Sequence, residues 1–133
     1  DDLNGAGGNI LEHVRAFFEK KTTEAEQHGV NKNRLCFDPG IGFGKTNEEN
    51  FALIANPEKI RVPGTALLMA ASRKRVIGAV CGNPPFEDRM AGTVAAHTAS
   101  VLFGADMVRA HDTFEAVQAA RVADAIKQFR KGV

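Results

Sequence analysis

The sequence holds 133 residues, 44% hydrophobic and 25% charged, with 17 Lys and Arg against 16 Asp and Glu. That is one domain's length, enough to bury about two-thirds of the surface of the unfolded chain, and a net charge of +1 gives no general case for a nucleic-acid or membrane partner. Cys36 and Cys81 make no CxxC pair, no apolar run nears the ~20 residues of a membrane span, and Asp-Asp-Leu-Asn is no signal peptide, so a cytoplasmic protein is expected.

Residues 1–8, with three glycines and no periodicity, read as a flexible lead-in. Asn9 and Glu12 have capping-box spacing ahead of an apolar stripe (Ile10, Val14, Phe17, Phe18), which predicts a helix that ends near Gln27 with Gly29 as its cap. The apolar run 34–37 before Asp38-Pro39-Gly40 predicts a buried parallel strand. A second capping box, Thr46 to Glu49, opens a helix over 47–56 that Pro57 stops. Residues 57–64 read as a connection and 65–71 as the second strand. A short helix is expected over 73–81, a turn at 82–85, and a helix over 87–103 capped by Gly104. Residues 106–110 form the third predicted strand. Asp112 and Glu115 suggest a third capping box, opening a last helix to about Arg130 with Phe114, Val117, Ala120, Val122, Ile126 and Phe129 as apolar positions. Strands alternating with helices predict an α/β fold, a parallel sheet with helices on its faces. Three strands leave two bare edges, which something must cover.

In such a fold, the strand C-termini and the loops after them line the site. Those positions hold Asp38, Gly40-Ile-Gly-Phe-Gly-Lys45, Ser72-Arg-Lys74 and Arg109-Ala-His111. Asp38 is either a turn residue or a bidentate acceptor for a planar amino-heterocycle. The glycine run has neither P-loop nor dinucleotide-fold spacing, and reads as a loop able to carry Phe43 and Lys45 to a ligand or as a simple crossing. Strand alternation puts Ser72 and Lys74 on one face and Arg73 on the other. Three cations, Arg73, Lys74 and Arg75, in the first turn of a helix oppose its dipole, a break in local rules that functional sites show. Arg109 and His111, at i and i+2, share a face beside the start of the last helix and suit an anion. His13, His28 and His97 read as surface or packing residues away from this end, and no cluster has metal-ligand spacing.

Three motifs in this order, Asp38-Pro-Gly-Ile-Gly-Phe-Gly-Lys45, Ser72-Arg-Lys74-Arg-x-Ile-Gly78 and Arg109-Ala-His-Asp112, resemble dihydropteroate synthase of bacterial folate synthesis, over essentially the whole chain. Gly92-Thr-x-Ala-Ala96 and Leu102-Phe-Gly-Ala-Asp106 are similar to the same family, and Ala110 stands where it often has Val. The resemblance implies a TIM barrel of which this chain carries about strands six to eight. The implied reaction joins 6-hydroxymethyl-7,8-dihydropterin diphosphate to p-aminobenzoate and releases pyrophosphate. It implies that Asp38, Gly42 and Lys74 bind the pterin, and that Arg109 and His111 hold the diphosphate. Phe43, Lys45, Ser72 and Arg73 would border the p-aminobenzoate and sulfonamide pocket, and Lys74, Arg109 and His111 would be the catalytic groups. Mg²⁺ on the diphosphate is implied with no ligand in this chain, as are small-molecule substrates and a homodimer or pairing with the other barrel half. The 133 residues alone are expected to be inactive. The alternatives are a silent pterin- or anion-binding fragment or assembly module, and a pterin-binding methyltransferase domain, which would have no diphosphate for Arg109 and His111 to hold.

Overall fold

A computed structural model describes residues 9–130, so the lead-in expected at 1–8 lies outside the described residues. Helix α1 (Ile10–Gln27) starts where the Asn9 side chain accepts from the N–H groups of Leu11 and Glu12. It ends as Gly29 turns through φ +82°, a conformation glycine adopts without a Cβ penalty. Its buried face is Ile10, Val14 and Phe18, whereas Phe17, expected on the same stripe, is exposed. Phe18 stacks on Phe37 at 4.6 Å between centroids and so anchors α1 to strand β1 (Cys36–Phe37).

Helix α2 (Asn47–Ala55) begins with a complete capping box between Thr46 and Glu49. The stretch expected as a connection contains a further turn of helix, α3 (Pro57–Ile60), because a proline that ends one helix is well placed as the first residue of the next. Strand β2 (Ala66–Met69) follows, then α4 (Arg75–Val80), a 3₁₀ turn over Phe86–Asp88, α5 (Met90–Leu102), strand β3 (Met107–Val108) and α6 (Thr113–Phe129). Each strand is shorter than its apolar run, since pairing ends before the hydrophobic signal does.

The three strands are parallel in the order β1-β2-β3, with Cys36 beside Ala66 and Leu68 beside Met107. One face of the sheet is covered by helices, and Leu67 and Met69 point into that core with Ile41, Leu53 and Ile60. The other face is open: Cys36 and Met107 are exposed across from one another, their sulfurs 3.9 Å apart. This is the geometry of a barrel wall seen with its lumen uncovered. At the amino ends of the strands, Arg61 pairs with Asp106 at 2.6 Å while Asp106 accepts from the Leu67 N–H, which ties β2 to β3.

Two expectations about the last helix fail. Asp112 makes no side-chain cap on α6, because both its oxygens are engaged by Arg73. The apolar positions Phe114, Val117, Val122, Ile126 and Phe129 are exposed, and α6 instead packs on α5 through small residues such as Ala116, Ala119 and Ala123. Alanine brings the two helix backbones close, so the larger side chains are left to face outward.

Candidate active site at the carboxyl end of the sheet

Two cavities open at the carboxyl ends of the strands, and Lys74 stands in the wall between them. The first, of about 360 Å³, is lined by Ala70, Ser72, Lys74, Arg109, Ala110 and His111. The second, of about 450 Å³, is lined by Gly42, Phe43, Lys45, Asn50, Lys74 and Arg75 among others. Lys74 Nζ donates to the Ile41 carbonyl at 2.5 Å and lies 5.1 Å from the centre of the Phe43 ring. Burial pulls its pKa below the ordinary lysine value, with Arg109 and Lys45 adding to the fall and Asp38 opposing it.

In the first cavity, Ser72 and His111 form one unit. The Ser72 hydroxyl oxygen accepts from the His111 backbone N–H at 3.0 Å and lies 2.6 Å from His111 Nδ1. In the Nε2–H tautomer the hydroxyl donates to Nδ1, and the proton on Nε2 is a donor available to a ligand; in the Nδ1–H tautomer the ring donates to the hydroxyl. The ring also meets the Phe86 edge at 5.3 Å and 84°. Arg109 is 69% exposed and reaches Asp38 at 3.8 Å. Asp38 turns its other oxygen back to the Gly40 N–H at 2.8 Å, so it is a turn residue that still has a carboxylate edge free toward Arg109. It lines a third hollow, with His13, Phe17 and Phe18, beside rather than inside the first cavity.

The loop of the second cavity is held by side chains. Lys45 Nζ donates to the carbonyls of Gly40 and Phe43, and burial lowers its pKa as well. Gly42 donates to the buried side chain of Asn50 at 2.9 Å. Gly42 has φ +87°, and a Cβ there would sit 3.2 Å from Lys74 Cδ, so glycine is what lets the lysine lie across the loop. Phe43 is 70% exposed and presents a free ring to the solvent side.

Arg73 lines neither of these two cavities. It has φ +57°, and its guanidinium takes Asp112 in a two-pronged pair at 2.8 and 3.0 Å while lying 5.2 Å over Phe86. This pairing raises the Arg73 pKa and lowers that of Asp112. Its N–H goes to Thr93 and its carbonyl accepts from Arg89, both at 2.9 Å. His97, read from sequence as a surface or packing residue remote from this end, is buried beside it and accepts from the Ala71 N–H at 3.0 Å. Sequence reasoning missed Asn50, Phe86, Arg89, Thr93 and His97. Only Asn50 and Thr93 carried a local signal, as polar residues on helical faces that turn inward.

The family described as "Pterin binding enzyme" matches residues 2–111. The chain belongs to the pterin binding enzymes. Among curated relatives it is 36% identical over 119 residues to the dihydropteroate synthase of Synechocystis, covering 90% of this chain and 41% of the relative. It is 34% identical over 117 residues to that of Escherichia coli, covering 88% and 41%. Among solved structures, dihydropteroate synthase of Xanthomonas albilineans with 4-aminobenzoic acid superimposes with a TM-score of 0.84 at 37% identity, covering 90% of this chain and 44% of that one. The same enzyme in complex with 7,8-dihydropteroate gives a TM-score of 0.86. The chain thus spans less than half the length of these pterin binding enzymes, and its α/β architecture is a section of their barrel. Among the described residues no three His, Cys, Asp or Glu side chains gather as a metal site requires. The groups around the first cavity are cations and neutral donors, so these residues do not fit Mg²⁺.

Proposed function

We propose that this chain is the carboxyl-terminal section of a dihydropteroate synthase, a transferase of folate biosynthesis. One observation supports it above the others: a single half-buried lysine, Lys74, shared by a cavity rich in cationic donors and a cavity walled by an aromatic ring. A pterin laid against Lys74 and the Asp38 edge would leave its diphosphate toward Arg109 and His111. The amine of p-aminobenzoate, arriving past Phe43 and Lys45, attacks the exocyclic CH₂. Its lone pair forms the new C–N bond as the C–O bond breaks, pyrophosphate leaves with the electron pair, and the proton on the new ammonium passes to the departing pyrophosphate or through it to water. Charge develops on the leaving oxygen, where a guanidinium and an imidazole donor are already aimed, so catalysis rests on placing charge rather than on a general base. Sulfonamides, as analogues of p-aminobenzoate, would take the second cavity. Mg²⁺ enters only as a companion of the substrate's diphosphate, held by groups other than these, and no step here runs through it.

The partner of the open sheet face is the complementary section of the barrel, and the exposed apolar residues of α6 support a homodimer or that pairing. Among the described residues no helix is long and apolar enough to cross a membrane; the free thiols of Cys36 and Cys81 support a reducing compartment, for which we propose the cytoplasm. The decisive experiment is pyrophosphate release by the intact protein, expected only when pterin diphosphate and p-aminobenzoate are both present. Absence of release would sink the reading. The 133 residues by themselves are expected to be silent and to gain activity on mixing with the complementary section of a relative. Activity alone would show that the open lumen does not matter. A silent binding fragment is the competing reading, which calorimetry with a pterin analogue and the absence of turnover in the intact protein would together favour.

A further inference from the structure

We propose that His97, together with Thr93 one turn earlier on α5, is a positioning residue that sets the Ser72–Lys74 segment through its backbone amides. The inference rests on the catalytic reading above for its activity arm, and its binding arm stands without it.

The argument begins with the hydrogen-bond series along β2. The carbonyls of Leu67 and Met69 accept from the N–H groups of Asp106 and Arg109, so odd-numbered positions of this strand bond toward β3. Past the end of the ladder the chain turns, with the Lys74 N–H donating to the Ala71 carbonyl at 3.2 Å and Arg73 at φ +57°, and the next two odd-numbered residues, Ala71 and Arg73, have no strand beside them. Their N–H groups go to α5 instead, Ala71 to His97 Nε2 at 3.0 Å and Arg73 to Thr93 Oγ1 at 2.9 Å. An i, i+4 pair on α5 thus takes up the two amides that flank this turn, where β3 supplies no acceptor. Thr93 is itself fixed, since its hydroxyl donates to the Arg89 carbonyl, and Arg89 donates back to the Arg73 carbonyl.

Between these two anchored amides lies Ser72, which holds both the backbone and the ring of His111, and immediately after them lies Lys74. A shift at Ala71 is thus passed to the anion cavity by one covalent step and one hydrogen bond. The role requires an acceptor at the Nε2 position, so the ring must be neutral there. The ring is 3% exposed, and burial, with the nearby Lys74 charge, holds its pKa down to about 4. An aromatic or aliphatic packing residue at this place would leave the Ala71 N–H buried with no acceptor.

The test uses three substitutions in the intact protein. His97→Phe keeps a ring and removes the acceptor, His97→Gln restores an acceptor near the Nε2 position, and Thr93→Val removes the second one. His97→Phe should lower kcat about tenfold while KM for p-aminobenzoate stays within about twofold, and should weaken inorganic pyrophosphate binding about tenfold in calorimetry. His97→Gln should return both readings to within about threefold of wild type. Wild-type values in His97→Phe would overturn the proposal, as would His97→Gln impaired equally, since then the ring and not the acceptor matters. If the wild-type protein makes no dihydropteroate, the catalytic reading falls and the pyrophosphate arm alone decides the positioning role. Should His97→Phe fail to fold, Thr93→Val decides on the same readings.

Discussion

Two neighbouring stretches carry the candidate site, and they are built in opposite ways. The segment after β2 is clamped by partners far away in sequence: its amides by α5, its Arg73 by Asp112, its Ser72 by His111. The loop after β1 is held mostly from within its own stretch, by the reach of Lys45 to two carbonyls and of Asn50 to one amide, around glycines in the left-handed region. Only Lys74 joins them, resting its ammonium on the Ile41 carbonyl. The difference teaches how labour divides here. On the proposed reading, the rigid stretch carries Lys74 and, through Ser72, fixes the His111 that would meet developing charge, so little reorganisation is needed there at the moment of reaction. The ring and ammonium that, on the same proposal, would meet an incoming aromatic acid sit on the adaptable one.

The largest effect should come from removing the residue the two stretches share. Lys74→Met keeps the stem and loses the ammonium from both cavities, and turnover by the intact protein should fall by at least about a hundredfold. A loss under about fivefold, read as initial rate of pyrophosphate release, would mean that the two cavities do not act as one site. Next comes Asp112→Asn, which breaks the clamp on the rigid stretch. It should cost more stability in urea unfolding than loss of the exposed Arg15–Glu19 pair. The sign with pH follows from the pairing. Arg73 holds the Asp112 pKa below its ordinary value of 3.8, so this contribution is present above that value and is lost as pH falls through the lowered one. The wild type should therefore show a steeper loss of stability at the acid end than Asp112→Asn. Parallel profiles would show the pair to be energetically idle.

That clamp also marks what could and could not be seen in the sequence. The order of elements, the Thr46–Glu49 cap, the parallel sheet and the gathering of Asp38, Ser72, Lys74, Arg109 and His111 at one end followed from periodicity, turn residues and the rule that strand C-termini carry function. The three-residue spacing of Asp112 and Glu115 reads as a cap only if nothing else claims the carboxylate, and Arg73, 39 residues earlier, claims it. His97 was hidden for the same reason: its helix shows one inward histidine, while the amide it serves flanks a turn past the end of the ladder, where β3 supplies no acceptor. The exposed apolar side of α6 misled in the other direction. Periodicity shows which face is apolar and leaves open whether alanines elsewhere on the helix pack closer.

On the adaptable stretch, effects should be smaller and should separate strain from contact. Gly42→Ala asks a Cβ to adopt φ +87° and to lie 3.2 Å from Lys74 Cδ. The backbone alone should cost about 1–2 kcal/mol of unfolding free energy, and a shifted Lys74 should weaken pterin-analogue binding in the same variant. Stability lost with binding intact would separate the loop from the lysine and undo the coupling drawn above.

Phe43→Ala gives the smallest effect on stability and the clearest test of the division of labour. With most of its ring in solvent, Phe43 contributes little to the core, and the unfolding free energy should change by no more than about 0.5 kcal/mol. Its ring is nonetheless the apolar surface that Lys74 rests over and the nearest stacking face for a benzoate. KM for p-aminobenzoate should rise about tenfold with kcat changed far less, because a face that meets substrate and transition state alike contributes uniform binding. A fall in kcat at unchanged KM would instead place Phe43 with the rigid stretch as a group that acts in the transition state. The contrast between the two stretches would then lie in their backbones alone, and not in the work their side chains perform.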